Sequence, residues 1–327
     1  MHKKILIVKL GAIGDVIHTT TIQQTVKKKH PNVEICFLTA NNIAPLLEND
    51  PNLLKVFAFD MKKKDNFFYL LKLGIELRKE NFDTVILLQK SIRTFFLNFI
   101  INPSKVVYRS NSRIHAIDAF VNSAKEIFPD IERPSDLKLF LSEEKITAVK
   151  EKFQNYKRPF FVISPGGEND TLRQGRIWPL ENWADLAKKF IHKYGGTVFV
   201  TGSKAEREYH SILSQIDNVF VISGDLKLDE SAALFSLADL FIAGDSGPLH
   251  IASALDIPVL GIMGSTSPVA CSPYGSKCSS VSKEFDCLHS CNKICHVDQN
   301  STYKPCITAI SVQEVLDAIE KIEFSKN

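Results

Sequence analysis

The sequence contains no long hydrophobic run. No segment approaches the roughly 20 apolar residues that a membrane-spanning helix needs. The apolar run at 5–10 includes Lys9 and is too short for the core of a signal peptide. The protein is therefore expected in the cytoplasm. The sequence also has no large excess of positive or negative charge, since 40 Lys and Arg are nearly offset by 37 Asp and Glu. This balance argues against a dedicated nucleic-acid binder.

Cysteines number seven, and five of them fall between Cys278 and Cys306. An odd, clustered set is unlike the even disulfide framework of a small secreted protein. Zinc is an alternative, but Cys287, Cys291, Cys295 and Cys306 lack the paired CxxC spacing typical of zinc sites. On a helix, the first three of them would share one face and be buried. We therefore predict a structural role, with no metal and no cofactor.

Short β-rich runs alternate with amphipathic segments along the chain, which is typical of parallel sheets with crossover helices. A charged, helix-prone segment without a strand signal, 142–158, separates two series of such runs. The sequence therefore predicts an α/β protein with two doubly wound parallel-sheet domains, 1–157 and 158–327. The predicted strands are 4–10, 33–38, 55–59, 83–88, 105–109, 160–166, 196–202, 218–223, 239–244 and 257–264.

The first strand leads into "LGAIGDV", a glycine turn that ends in Asp15. Ligands bind doubly wound sheets at the carboxyl ends of the strands, so such turns are candidate site positions. The spacing is not G-x-G-x-x-G, and no acid ends the next strand, so a nicotinamide cofactor is disfavoured. Two interpretations of Asp15 remain open, because an acid here either serves a ligand or caps the following helix.

A second turn, "SPGGENDTLRQGRIWPLENW", follows the strand at 160–166. Arg173 and Arg176 lie in its polar loop, where a guanidinium group is suited to bind phosphate oxygens. A solvated loop is the alternative for both arginines. We expect Trp178 and Trp183 to pack in the core.

A third turn, "IAGDSGPLHIASA", joins the strand at 239–244 to a helix. The backbone N–H groups of Ser246 and Gly247 are free at the start of the helix, where they are suited to bind an anion. Asp245 is suited to accept hydrogen bonds from sugar hydroxyls. The alternative interpretation is that it is an ordinary helix cap. His250, one turn into the helix, is expected to pack or donate a hydrogen bond and not to act as a base.

Together, "ILIVKLGAIGDVIHTT", "RIWPLENWADL", "TGSKAERE" and "LADLFIAGDSGPLHIASALDIPVLGIMG" resemble the ADP-heptose:lipopolysaccharide heptosyltransferases, glycosyltransferase family 9. The resemblance implies the GT-B arrangement, in which two Rossmann-like domains enclose a central cleft. The acceptor-binding domain would be 1–157, and the nucleotide-sugar domain with a C-terminal helix would be 158–327. It also implies an inverting reaction that requires no metal.

The resemblance implies roles for individual residues. Asp15 would be the general base, with Gly14 and Arg93 binding the acceptor. Glu206 would bind the donor's ribose, with Glu208 as the alternative acid. The full set implied for donor binding is Gly166, Gly167, Arg176, Glu206, Asp245, Ser246, Gly247 and His250. Position 176 is Arg where some relatives have Lys, which keeps the charge but changes the geometry.

The implied partners are an ADP-heptose donor and a lipopolysaccharide inner-core acceptor, either Kdo-lipid A or its heptosylated form. Lys62 to Lys64 suit such an acidic acceptor or a peripheral contact with the inner membrane, or form a solvated face. Two alternatives remain at this stage. One is a GT-B transferase or epimerase for another nucleotide sugar, such as a UDP-linked one, and the other is a non-catalytic nucleotide-sugar-binding protein. First, second and third heptose additions fit the motifs equally.

Overall fold

The computed structural model describes residues 4–110, 114–166, 175–287, 295 and 303–323. The chain forms two compact units, an N-terminal unit, Met1–Leu141, and a C-terminal unit, Ser142–Asn327. Each contains one parallel sheet with crossover helices, so the predicted α/β class is confirmed. No helix in the part of the chain that the structure describes has the length and apolar character to span a bilayer.

The N-terminal unit has a five-stranded sheet of order β3-β2-β1-β4-β5, and β1 pairs with both β2 and β4. Its three inner strands are almost entirely buried, as a sheet covered by helices on each side requires, whereas its two edge strands keep exposed residues. Its elements are β1 (Lys4–Val8), α1 (Ile13–Lys29), β2 (Glu34–Ala40), β3 (Lys55–Phe59), α2 (Phe67–Arg78), β4 (Thr84–Leu87), α3 (Ile92–Ile101), β5 (Lys105–Tyr108) and α4 (Ala116–Lys125), with 3₁₀ turns at Ala44–Leu46 and Met61–Lys63.

The C-terminal unit has a six-stranded sheet of order β11-β10-β9-β6-β7-β8. Its strands are β6 (Phe160–Ser164), β7 (Thr197–Val200), β8 (Val219–Val221), β9 (Leu240–Gly244), β10 (Val259–Met263) and β11 (Cys278–Ser282). Its helices are α5 (Glu143–Phe153), α6 (Leu180–Tyr194), α7 (Arg207–His210), α8 (Leu228–Ser236), α9 (Gly247–Ser253), α10 (Pro268–Cys271), α11 (Pro305–Thr308) and α12 (Val312–Glu320), with 3₁₀ turns at Lys204–Glu206 and Ser211–Gln215.

The tryptophans are core residues, as predicted. Trp178 and Trp183 are fully buried with ring centroids 5.3 Å apart, and Trp178 Nε1 donates a hydrogen bond to the Ile310 carbonyl at 2.8 Å. Burying two indole rings stabilises the unit by several kcal/mol, on the order of 2–3 kcal/mol each. The start of α6 is thereby fixed next to the loop that carries Arg176.

The compact units divide before α5, whereas the sequence put the boundary near residue 157. Helix α5 packs on α8 of the C-terminal unit. Lys145 on α5 forms an ion pair with the buried carboxylate of Asp229, and Phe153 lies edge-on to Phe199 at 5.0 Å. These contacts attach the charged segment to the second sheet.

Candidate active site

The N-terminal unit brings three polar side chains together at one sheet edge. Lys9, Gln89 and Arg109 each follow a strand, and those strands, β1, β4 and β5, are parallel neighbours. Parallel strands end on the same side of a sheet, so these residues must lie close together. Gln89 fixes the first turn, because its Oε1 accepts a hydrogen bond from the backbone N–H of Leu10 at 3.2 Å.

Asp15 lies at this edge between two cations. Its Oδ2 is 2.9 Å from Lys9 Nζ and 3.7 Å from an Arg109 guanidinium nitrogen. Lys9 is nearly buried, with a side chain 7% exposed against 28% for Asp15, and the Arg109 guanidinium is 4.8 Å from the Phe120 ring centroid. Both ion pairs use Oδ2. Oδ1 therefore remains available to accept a proton or a hydrogen bond from a ligand hydroxyl.

Asp15 does not cap α1. The N-cap position is Ala12, which has no side-chain cap, and Asp15 follows in the first helical turn. Ala12 adopts a left-handed φ of 58°, which costs a non-glycine residue on the order of 1 kcal/mol or more. Gly14 lies in the same turn. This conformation aims the helix start, and with it the Asp15 carboxylate, at the sheet edge.

Arg93, the predicted acceptor contact, is already paired in this structure. Its guanidinium group binds Asp65 through two nitrogens, at 3.0 and 2.5 Å. The hydrogen bond from Arg93 holds the pKa of the Asp65 carboxyl below its usual value. Arg93 is not in contact with Asp15, and its acceptor-binding role stays a prediction.

The C-terminal unit gathers most of the predicted donor-binding residues around one pocket of about 270 Å³. The pocket lies at the carboxyl ends of β6 and β9, which are neighbours in the sheet. It is lined by Ser164, Pro165, Gly166, Arg176, Ile177, Glu206, Gly244, Asp245, Ser246 and Gly247.

Glycine shapes two sides of this pocket. Gly166 has a left-handed φ of +76°, which turns the chain away from β6 without strain. At Gly244, a Cβ atom would stand 2.6 Å from the backbone oxygen of Arg176. A side chain there would push the Arg176 segment off the sheet, so glycine at this position is required for Arg176 to reach the pocket.

Two hydrogen-bond donors of this pocket lack an acceptor within the described part of the chain. Arg176 Nε and Ser246 Oγ are buried, and neither has a hydrogen-bond partner among the described residues. A buried donor without an acceptor costs roughly 1–3 kcal/mol. Two such donors in one pocket indicate a site that binds an anionic or oxygen-rich ligand, which would accept their hydrogen bonds.

Asp245 is a buried carboxylate in the same pocket. Burial alone would raise its pKa, but the hydrogen bond from His250 and the charges of His250 and Arg176 outweigh burial and lower the pKa below its usual value. The Asp245 Oδ1 to His250 Nε2 distance is 3.3 Å, and Asp245 Oδ2 is 3.8 Å from Arg176. His250 therefore contacts Asp245 from α9, and Asp245 is ionised at neutral pH.

Glu206 lines the pocket, whereas Glu208 is not among the lining residues. The 3₁₀ turn Lys204–Glu206 is closed by a capping box in which Glu206 Oε2 accepts the Ser203 N–H at 2.5 Å. That bond fixes the Glu206 carboxylate beside Gly202. A Cβ atom on Gly202 would stand 2.9 Å from Glu206 Oε2.

His210 is a residue that the motifs did not single out. Its Nε2 is 3.0 Å from the Gly166 carbonyl oxygen and its Nδ1 is 2.8 Å from Ser223 Oγ. A carbonyl only accepts, so Nε2 carries the proton and Nδ1 accepts from Ser223. Burial lowers the pKa of His210 and keeps the ring neutral. His210 is a positioning residue that holds the Gly166 turn.

We expect His210→Leu to raise the donor KM by about tenfold with little change in kcat, because one hydrogen bond that shapes the pocket is lost. His210→Gln, whose amide N–H retains a donor, should recover part of the affinity. Steady-state kinetics at varied donor concentration, with melting temperatures for both variants, measure this. A fall in stability with an unchanged donor KM would mean that His210 supports the fold alone.

Some predicted positions lie outside the described residues, namely Gly167, Arg173 and Cys291. Among the described residues, no group of three or more His, Cys, Asp or Glu is arranged to hold a metal ion. Cys295 and Cys306 are buried. A Cβ on Gly175 would stand 3.2 Å from Cys306 Sγ, so this thiol packs behind the loop that leads to Arg176.

The chain resembles proteins of known structure and name. The model of glycosyltransferase family 9 (heptosyltransferase) matches residues 70–300. The lipopolysaccharide core heptosyltransferase OpsX of Haemophilus influenzae is 27% identical over 84% of this chain and 82% of that protein. Two solved structures share the fold. The glycosyl transferase family 9 from Veillonella parvula has a TM-score of 0.84 and 21% sequence identity, covering 97% of this chain and 96% of that chain. The Escherichia coli ADP-heptose lps heptosyltransferase II has a TM-score of 0.77 and 19% sequence identity, covering 97% of each chain.

The two parallel-sheet units have the two-domain Rossmann-like α/β fold of these structural neighbours. Since the family model covers well over half of the sequence, the chain belongs to glycosyltransferase family 9, the heptosyltransferases.

Proposed function

We propose that the protein transfers heptose from ADP-heptose to a sugar hydroxyl of the lipopolysaccharide inner core, with inversion at the anomeric carbon. Family membership and the heptosyltransferase names of its relatives support transfer of a heptose. The observation that carries the proposal is the C-terminal pocket, where the buried donors Arg176 Nε and Ser246 Oγ have no acceptor among the described residues.

In this proposal the pocket holds the donor nucleotide sugar. Arg176, the Ser246 hydroxyl and the N–H groups of Ser246 and Gly247 bind the diphosphate, which gives Arg176 Nε and Ser246 Oγ the acceptors they lack among the described residues. Asp245 is ionised and accepts hydrogen bonds from hydroxyls of the transferred sugar. Glu206, fixed by its capping box, accepts hydrogen bonds from the ribose hydroxyls.

Asp15 acts as the general base. Its Oδ1 takes the proton of the acceptor hydroxyl as that oxygen forms a bond to the anomeric carbon. The bond between this carbon and the diphosphate oxygen breaks, and its electron pair leaves with ADP. Lys9 and Arg109 hold Oδ2 and fix the carboxylate's orientation. An exchange of this kind, with attack opposite the leaving group, inverts the configuration.

We propose that transfer needs no metal ion, since Arg176 and the backbone amides supply positive charge to the departing diphosphate. The purified enzyme should keep its rate in excess EDTA, and added Mg²⁺ should not increase that rate. Initial rates measured after chelation and after metal addition test this. A rate that EDTA abolishes and a divalent cation restores would contradict it.

Donor identity is tested by ligand-induced stabilisation. At about 100 times its Kd, ADP is expected to stabilise the folded protein by about 2.7 kcal/mol, while UDP at the same concentration should leave the melting temperature nearly unchanged. Thermal shift titrations of ADP, UDP and ADP-heptose measure this. Equal stabilisation by UDP would assign a different donor.

The activity itself is tested with ADP-heptose and a panel of truncated lipopolysaccharide cores. Mass spectrometry should show one added heptose on one member of the panel, and the substituted hydroxyl can then be located by NMR. The first core that accepts heptose identifies the addition that the protein performs. Donor breakdown without labelling of any core would contradict the proposed acceptor class.

A further inference from the structure

Helix α3 exposes apolar side chains that no described residue covers. Ile92 and Phe99 are each 82% exposed and Phe95 is 45% exposed. Their spacing of three and four residues places them on one stripe of the helix. At the start of α2, Phe67 and Phe68 are 57% and 78% exposed. We call these five residues the α2–α3 apolar surface.

The two helices form one continuous platform. Phe67 on α2 contacts Phe96 on α3, with ring centroids 5.4 Å apart, and also contacts Phe68 at 5.9 Å. Further along, a Cβ on Gly74 would lie 2.8 Å from Ile100, so the helix backbones approach closely. The apolar surface is therefore held in place by packing beneath it.

This surface reaches the edge where Asp15 lies. Both α2 and α3 begin at the carboxyl ends of their strands, and Phe95 contacts Tyr108 at 6.2 Å. Tyr108 ends β5 and is followed by Arg109, which pairs with Asp15. Tyr108 and Arg109, which are neighbours in the chain, therefore connect the apolar surface to the sheet edge at which Asp15 lies.

Basic side chains surround the apolar surface. Residues 60–99 contain eight Lys or Arg and five Asp or Glu. Two of these acids pair with basic residues of the same segment, Asp65 with Arg93 and Asp60 with Lys63. Lys62, Lys63 and Lys64 stand just before α2, and the exposed fraction of the Lys63 side chain is 61%. Lys72 and Lys79 border a shallow groove of about 380 Å³ beside Phe68.

We propose that the α2–α3 apolar surface docks on an anionic phospholipid bilayer, with the aromatic rings inserted at the headgroup level and the lysines on the phosphates. Exposed aromatic residues within a basic rim are the features that bind such an interface. Self-association through this surface is disfavoured, because it would bring two basic rims together. The inference rests on the proposed function in that a lipid-anchored acceptor would be presented at the same surface as Asp15.

The experiment is sedimentation of the full chain with two kinds of vesicle, pure phosphatidylcholine and a mixture containing phosphatidylglycerol. The wild-type protein should bind the anionic vesicles at low salt and be released by high salt. Phe68→Ser with Phe99→Ser should weaken binding by about tenfold, because two inserted rings are lost. Lys62→Gln, Lys63→Gln and Lys64→Gln together should weaken it by at least about tenfold.

Leu54→Ser is the matched control. Leu54 is 59% exposed and lies at the amino end of β3, whereas Lys62 to Lys64 and α2 follow the carboxyl end of that strand, so this variant should bind vesicles like wild type. Absence of binding to anionic vesicles would overturn the proposal, as would equal binding by Phe68→Ser/Phe99→Ser. A concentration-dependent dimer that this double variant abolishes, without vesicle binding, would assign the surface to a second copy instead.

Transfer to two acceptor forms separates this inference from the proposed function. Phe68→Ser/Phe99→Ser should retain its rate on a soluble, deacylated acceptor and lose rate on the same acceptor embedded in anionic vesicles. Transfer to the soluble acceptor without vesicle binding would refute docking and leave the proposed function standing. Vesicle binding by a protein that transfers heptose to no acceptor would refute the function and leave docking standing.

Discussion

Replacing Asp15 with asparagine is expected to lower kcat for heptose transfer by about 10²–10⁴-fold, the contribution of a positioned general base. Asparagine has nearly the same shape, and its Oδ1 still accepts a hydrogen bond from Lys9. It has no basicity, so the acceptor hydroxyl keeps its proton during attack. The fold of the N-terminal unit should therefore survive while the reaction does not.

Two measurements accompany this variant. The Kd for ADP should match that of wild type, because ADP binds to the C-terminal unit in our proposal. Asp130→Asn is the matched control: Asp130 also pairs with a basic side chain of the same unit, His30 at 2.8 Å, but its carboxylate is 53% exposed and away from the site. If Asp15→Asn keeps full kcat with intact ADP binding, another group is the base.

Replacing Arg176 with alanine is expected to lower kcat/KM by about 10²–10³-fold, the range for removing one donor to a developing negative charge. Arg176 lies 3.8 Å from the ionised Asp245, and its buried Nε has no hydrogen-bond partner in the described ranges of the chain. The side chain is therefore held in the pocket before any ligand arrives. Preorganised charge of this kind stabilises the leaving diphosphate at little reorganisation cost.

Arg176→Lys should retain more activity than Arg176→Ala, because the positive charge remains while the forked geometry is lost. Arg207→Ala is the control, since Arg207 follows Glu206 in the chain but pairs with Asp225 and does not line the pocket. Kinetics and melting temperatures of the three variants test the assignment. Equal kcat/KM values for Arg176→Ala and Arg207→Ala would remove Arg176 from the site.

Most strands were predictable because their residues form short, almost continuous apolar runs. Ten runs were predicted, and each overlaps one observed strand, with bounds that differ by a few residues at most. The eleventh strand, β11, was missed. Its sequence, CSSVS, is serine-rich and largely exposed at the sheet edge, so it carries no hydrophobic signal. Pairing with β10 alone makes it a strand.

The candidate site was partly predictable for the same reason. Residues that follow strands must meet at the carboxyl edge, so Asp15, Arg176 and Asp245 were found from strand ends and glycine turns. Lys9 and Arg109 carried the same signal and were overlooked as parts of strands. His210 carried none, because its role depends on a hydrogen bond to Gly166, 44 residues earlier in the chain.

By itself, the sequence determined the α/β class, the strand order along the chain and the turns that carry the chemistry, since each follows from local patterns of apolar and glycine residues. The tertiary structure decided which strands are neighbours, and therefore which side chains meet. Only it shows that Asp15 is held by Lys9 and Arg109 instead of capping α1, and that Arg176 and Ser246 have buried donors without a partner among the residues that the structure describes. Those facts depend on distances between residues far apart in the chain, which local sequence patterns do not encode.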